Sequence, residues 1–201
     1  MIGCNLLVAV EDDLSAAAMR KLIRVSGREF VITRIMNARG YGQLKANIAR
    51  FKTACYVLPH LVLTDLDKYP CPPALLEDWD ATTLPPQLLL RIAVREVEAW
   101  LLADSEGIAT FLSVAKNKIP NDPEAEADPK RTLINLARKS RKRRIAIELV
   151  PEAGSSARIG PLYNERLAEF VEKTWNVERA RTVAPSLDRA LLRLSSFMPN
   201  L

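Results

Sequence analysis

Short, continuous apolar runs alternate with amphipathic stretches along the first half of the chain, and most of the runs stop at acidic residues. Within Asn5–Val10, Leu6-Leu7-Val8-Ala9-Val10 has no polar position, as expected of a strand buried on both faces. The next segment, Leu14 to about Val25, reads as a helix that Asp12 or Asp13 can cap and that Ser26-Gly27 ends. Phe30–Met36 is β-branched and strand-like. Arg39-Gly40-Tyr41-Gly42 then turns into an amphipathic helix with Leu44, Ile48 and Phe51 on one face. His60–Thr64 predicts a second buried strand, ending at Asp65. Leu88–Val94 predicts another, followed by a helix from about Arg95 to Asp104.

Between these, Pro70–Pro86 reads as loop with one helical turn around Leu75–Trp79. Further on, Ile108–Ala115 reads as helix, and Asn121–Asp128 as an acidic loop. Pro129 opens a helix that runs through Arg138. Ile145–Val150 predicts one more strand, Leu162–Trp175 an amphipathic helix, and Leu187–Ser196 a last helix. The alternation predicts a single α/β domain, a mostly parallel sheet flanked by helices. Its core covers about residues 1–115. A helical extension with one further strand covers about 116–201.

Composition narrows the chemistry. The 201 residues are 48% hydrophobic and 26% charged, ordinary for a globular chain. Cys4, Cys55 and Cys71 are odd in number and widely spaced, which suggests neither a disulfide framework nor a zinc ribbon and favours a reducing cytoplasm. The start Met1-Ile2-Gly3-Cys4 lacks the basic region of a signal peptide, and no apolar run approaches the length of a membrane span. The single histidine, His60, excludes a multi-histidine metal site and has no catalytic motif beside it, so a structural role is expected. Carboxylates and cations must carry whatever chemistry there is.

Three acidic clusters supply the carboxylates: Glu11-Asp12-Asp13, Asp65-Leu66-Asp67 and Arg95-Glu96-Val97-Glu98. Each follows a predicted strand, and in a parallel α/β sheet the strand ends share the edge where ligands bind. Residues two apart on a strand face the same way, so Asp65 and Asp67 reach one cation if the extended geometry persists through Leu66. With Glu11 they would form a hard, oxygen-only site for Mg²⁺ or Mn²⁺. Glu96 and Glu98 have two readings. They are favourable charges at a helix N-terminus, with Glu98 able to pair with Arg95, or one of them is a further ligand on the same edge.

The net charge of +5 is unevenly placed, with six cations in the seven residues Arg138–Arg144. Such a run, with Arg141, Lys142, Arg143 and Arg144 at its centre, either binds phosphate backbone or is a solvated surface. Lys130 and Arg131, at a predicted helix N-terminus, and Arg158, in a Gly/Ser-rich loop, are the other candidate phosphate ligands, or else surface cations.

The sequence Val8-Ala9-Val10-Glu11-Asp12-Asp13, followed by Val62-Leu63-Thr64-Asp65-Leu66-Asp67, resembles the Toprim domain of topoisomerases, bacterial primases and OLD-family nucleases. The resemblance implies a Toprim-like, Rossmann-like fold. It implies acid/base catalysis or metal binding at Glu11 and Mg²⁺ coordination at Asp65 and Asp67. In that family a Gly usually follows the Glu, and here Asp12 stands in its place. Arg95–Asp104 and Ser155–Pro161 are also similar to bacterial Toprim-like proteins often paired with ATPases in defence gene clusters.

A topoisomerase would need a tyrosine nucleophile on additional domains, and a complete primase a zinc-binding domain that these cysteines cannot supply. The resemblance therefore implies a Mg²⁺-dependent nuclease acting on DNA or RNA, with catalytic Glu11, Asp65 and Asp67, serving as effector of a separate ATPase in the cytoplasm. Oligomerisation is compatible with this reading. The alternative is a non-catalytic Toprim-like module that binds a partner protein or nucleotide.

Overall fold

In the computed structural model, which describes residues 3–199, four parallel strands form one sheet in the order β2-β1-β3-β4. They are β1 (Cys4–Val10), β2 (Phe30–Asn37), β3 (His60–Asp65) and β4 (Leu88–Ala93). The helices α1 (Asp13–Val25), α2 (Tyr41–Ala54) and α3 (Pro72–Asp78) connect them. After β4 come α4 (Val97–Ala103), α5 (Ser105–Leu112), α6 (Pro129–Arg138), α7 (Arg143–Leu149), α8 (Tyr163–Lys173), α9 (Val177–Arg181) and α10 (Pro185–Ser195). The fold is α/β and Rossmann-like, with extra C-terminal helices. The chain ends, Met1-Ile2 and Asn200-Leu201, lie outside the described residues.

Side-chain alternation divides the two faces of the sheet. Leu6, Val8 and Val10 of β1, Leu61 and Leu63 of β3, and Leu89 and Ala93 of β4 enter a large core with α1 and the helices that follow β4. Ala9, Val62, Leu88, Leu90 and Ile92 enter a second core under α2 and α3. Burial on both faces is why the inner strands read as unbroken apolar runs. As an edge strand, β2 is only half-buried and tolerates Thr33 and Arg34. Among the described residues no helix is long and apolar enough to cross a membrane.

Four expectations change. Ile145–Val150 is not a strand: Arg143–Leu149 is helix α7, in which Arg144 pairs with Glu148 one turn on at 2.6 Å while Ile147 is exposed. Its β-branched residues imitate a strand, but the polar pair at helical spacing and the one-sided burial belong to a helix. The helix expected from Arg95 begins only at Val97, after an extended Glu96 and a cis Val94–Arg95 peptide. It stops at Asp104, whose side chain accepts from Gly107 N at 3.1 Å and so caps α5. Arg95 does not pair with Glu98; its guanidinium donates to the Asp67 and Tyr69 carbonyls at 3.3 and 2.8 Å. The extended geometry of β3 also ends at Asp65, and Asp67 adopts a left-handed backbone with φ of 49°.

Candidate functional site

The carboxyl ends of β1, β3 and β4 bring Glu11, Asp65 and the Glu96–Glu98 segment to one edge, as the parallel topology requires. Glu11 follows β1 directly, and its Oε1 accepts from Thr64 Oγ1 at 2.5 Å and from Asp65 N at 2.9 Å. These bonds tie the loop after β1 to the end of β3. Asp65 Oδ1 in turn accepts from Val97 N at 2.9 Å, capping α4 from across the sheet. Asp12 caps α1 by accepting from Ser15 N at 2.8 Å. The residue that replaces the expected Gly therefore starts the helix. Asp13 is exposed and accepts from Asn37 Nδ2.

Asp67 reaches the same region by another route. Leu66 N and Asp67 N both donate to the Arg95 carbonyl at 3.0 Å, stitching the end of β3 to the segment after β4. Asp67 then lines a cleft of about 670 Å³ together with Asp12, Glu96, Lys130 and Arg158.

Lys130, read from the sequence as a phosphate ligand, is an internal counter-ion. Its Nζ lies 3.5 Å from Glu98 Oε1 and 3.6 Å from Glu96 Oε1, and its backbone N–H donates to Glu96 Oε2 at 2.9 Å. Glu96 thus holds the first turn of α6. Glu98 is buried in α4 and accepts from Tyr163 Oη at 3.0 Å.

This crowding has electrostatic consequences. Burial, then Glu98 and Glu11, push the Asp65 carboxyl well above its usual range. Burial raises Glu11 against the pull of its hydrogen bonds from Thr64 and Asp65. Burial also raises Glu96 and pushes Glu98 up to about 7, in both cases against the attraction of Lys130. Burial disfavours the Lys130 ammonium, yet Glu98, Glu96 and Asp65 outweigh it and hold the charge firmly. Tyr163, its ionisation disfavoured by burial and then by Glu98, stays a phenol that donates to Glu98.

The carboxylates of this edge offer only oxygen donors, a chemistry that suits a hard divalent cation, and the Lys130 ammonium is already paired with two of them. Among the described residues no three His, Cys, Asp or Glu side chains are grouped as a ready-made metal cage. Glu11 Oε1 and Asp65 Oδ1 are engaged by the protein, while no hydrogen bond among the described residues uses Glu11 Oε2 or Asp65 Oδ2.

The basic run is divided between surfaces. Arg138, at the end of α6, lines the acidic cleft with Arg131. Arg144 pairs with Glu148, and Lys142 lines a separate cavity of about 510 Å³ between α5, α7 and α8. Arg141 and Arg143 are exposed and line neither. Arg158 is exposed on the rim of the acidic cleft. Sequence reasoning missed Thr64 and Tyr163, whereas Arg131, a candidate phosphate ligand beside Lys130, does line the cleft. Thr64 lies within the Val62–Asp67 motif, one residue before Asp65, whereas nothing local marks Tyr163. His60 is buried at the opposite end of β3, against Phe51, with Nδ1 donating to the Leu58 carbonyl.

Comparison of the chain with protein-family models, with curated proteins and with solved structures finds no match.

Proposed function

We propose that this chain is a Mg²⁺- or Mn²⁺-dependent, Toprim-type nuclease that hydrolyses nucleic-acid phosphodiesters in the cytoplasm as effector of a separate ATPase. The observation that carries the reading is the meeting of Glu11, Asp65, Asp67, Glu96 and Glu98 on one sheet edge, where Lys130 is the one ammonium paired with them among the described residues. The Toprim resemblance of the same Glu and Asp-x-Asp positions supports it, and the ATPase pairing rests on that resemblance alone. Glu11, Asp65 and Asp67 would hold the metal, which when bound supplies charge to polarise the phosphodiester and stabilise the departing oxygen.

The chain's own groups have definable tasks. Glu11, which burial makes a stronger base than an ordinary carboxylate, would hold metal or take a proton from water. Thr64 and the Asp65 amide fix its orientation. Arg131, Arg138 and Arg158 on the cleft walls balance phosphate charge, which the carboxylates would otherwise repel. A second reading is favoured by one observation, the Lys130 ammonium already between Glu96 and Glu98. In that reading the cluster is a structural ion network of a non-catalytic module.

Titration of the purified protein with Mg²⁺ and Mn²⁺, beside Asp65→Asn, in the presence of plasmid DNA and total RNA tests both. Metal-dependent cutting that disappears in the variant is the expected outcome. Metal binding without cutting, or no binding, moves the assignment to the module.

A further inference from the structure

A second cleft, of about 540 Å³, adjoins the acidic one and shares Asp67 and Arg158 with it. Its remaining lining is Tyr41, Lys68, Tyr69 and Pro70. Tyr41 opens α2 immediately after Gly40, whose φ of 120° bends the chain over the end of β1, and the residue is 47% exposed. That is a large amount of aromatic surface to leave in water beside a charged site. Tyr69 is held from two sides. Its hydroxyl donates to Asp78, which Lys45 also pairs at 2.6 Å, and its carbonyl accepts from Arg95 at 2.8 Å.

We infer that the tyrosine cleft is a base-stacking platform and that the preferred substrate is a single strand. The inference rests on the nucleic-acid reading above and deepens it by naming the substrate class. A flexible strand can lay its phosphates along Arg131, Arg138 and Arg158 in one cleft while turning unpaired bases onto Tyr41 and Tyr69 in the next. Asp67, common to both clefts, then lies where backbone passes from one to the other. A duplex keeps its base faces stacked and has none to offer, whereas aromatic stacking accepts every base of a single strand. Cations with interleaved aromatics beside an acidic centre fit this class better than a small anion, which would leave the exposed Tyr41 ring in water. The Tyr69 ring, packed on the core under α2 and α3, offers its remaining face.

The test is fluorescence anisotropy with single-stranded DNA, single-stranded RNA and duplex DNA of about ten nucleotides, near the span of one binding site. Ca²⁺ replaces Mg²⁺ to allow binding. Single strands should bind at least tenfold tighter than duplex. Tyr41→Ala should weaken single-strand binding by about fivefold to a hundredfold, the range of one stacked base, and leave duplex binding unchanged. Tyr69→Phe, which keeps the ring, should stay close to wild type, and Tyr69→Ala should follow Tyr41→Ala. The DNA and RNA arms assign the sugar.

Equal affinity for duplex, or single-strand binding indifferent to Tyr41→Ala, overturns the inference. Tyr41 is exposed, so misfolding of its variant is not expected, and circular dichroism checks it. Metal-dependent cutting in the plasmid and RNA assay with indifferent tyrosines would sink the platform and keep the nuclease. Tyrosine-dependent single-strand binding without cutting would do the reverse.

Discussion

At Asp65 and Glu11 one carboxylate oxygen is engaged by the protein, and no hydrogen bond among the described residues uses the other. Because Asp65 Oδ1 caps α4 and Glu11 Oε1 receives Thr64 and the Asp65 amide, amide replacements can keep those acceptors while removing charge. Asp65→Asn and Glu11→Gln should therefore melt within a few degrees of wild type yet lack the thermal upshift that the proposed Mg²⁺ site would give to wild type. Asp65→Ala should cost about 1 kcal/mol more through the missing cap, or about 2–4 °C in a chain of this size. Glu98 makes a separate prediction in EDTA. Its carboxyl, ordinarily at 4.5, is pushed to about 7, so between those values the folded state binds the proton that the unfolded state has released. Stability contributed by the protonated group must then fall as pH rises from about 4.5 to about 7. Glu98→Gln keeps an uncharged partner for Tyr163, and its melting temperature should lack that part of the decline. Parallel melting curves against pH for the two proteins would refute the assignment.

Between elements, the junction of α7 with α8 shows why an apolar run can imitate a strand. Ile145-Ala146-Ile147 has strand composition, and only the fold reveals that Glu148 lies between Arg144 and Arg166, with Arg166 Nε at 2.7 Å. Hydrogen bonds from Arg166 and Arg144 pull the Glu148 carboxyl down to about 2 from 4.5. Its contribution to stability is complete above about 4.5 and is lost as pH falls towards 2, a window separate from that of Glu98. Glu148→Gln should flatten the acid limb of the stability curve and leave the neutral limb alone. The same junction depends on Gly160. A Cβ there would lie 2.4 Å from the Glu148 carbonyl oxygen and the Leu149 carbonyl carbon. Those are backbone atoms and cannot swing aside, so Gly160→Ala should destabilise by about 1–3 kcal/mol in urea unfolding. An unchanged midpoint would show that the α7–α8 packing is looser than this.

For the molecule as a whole, the acidic edge was legible because strand ends follow from apolar runs and parallel topology gathers them. The mostly parallel sheet and the placement of Glu11 and Asp65 needed nothing more. What was illegible depends on packing between distant segments. Lys130 reaches Glu96 and Glu98 from a helix more than thirty residues downstream, and Tyr163 reaches Glu98 from farther still. Asp67 stays on the edge by the Arg95 carbonyl rather than by strand geometry, which no periodicity reports. The basic run was visible as composition, but its partition was not, because the turn between α6 and α7 aims its two ends differently. That partition gives the last prediction. Arg131 and Arg138 line the acidic cleft, whereas Arg141 and Arg143 do not and Arg144 is paired with Glu148. Removing one cation that neutralises a phosphate should lower the slope of log affinity against log salt by roughly 0.7 for a single strand. The Arg131→Ser, Arg138→Ser double variant should lose about twice that, with weaker binding at every salt concentration. Replacing Arg141 and Arg143 should leave the slope where it was. If the two pairs behave alike, binding follows net charge over the whole surface, and the cleft does not select the phosphates.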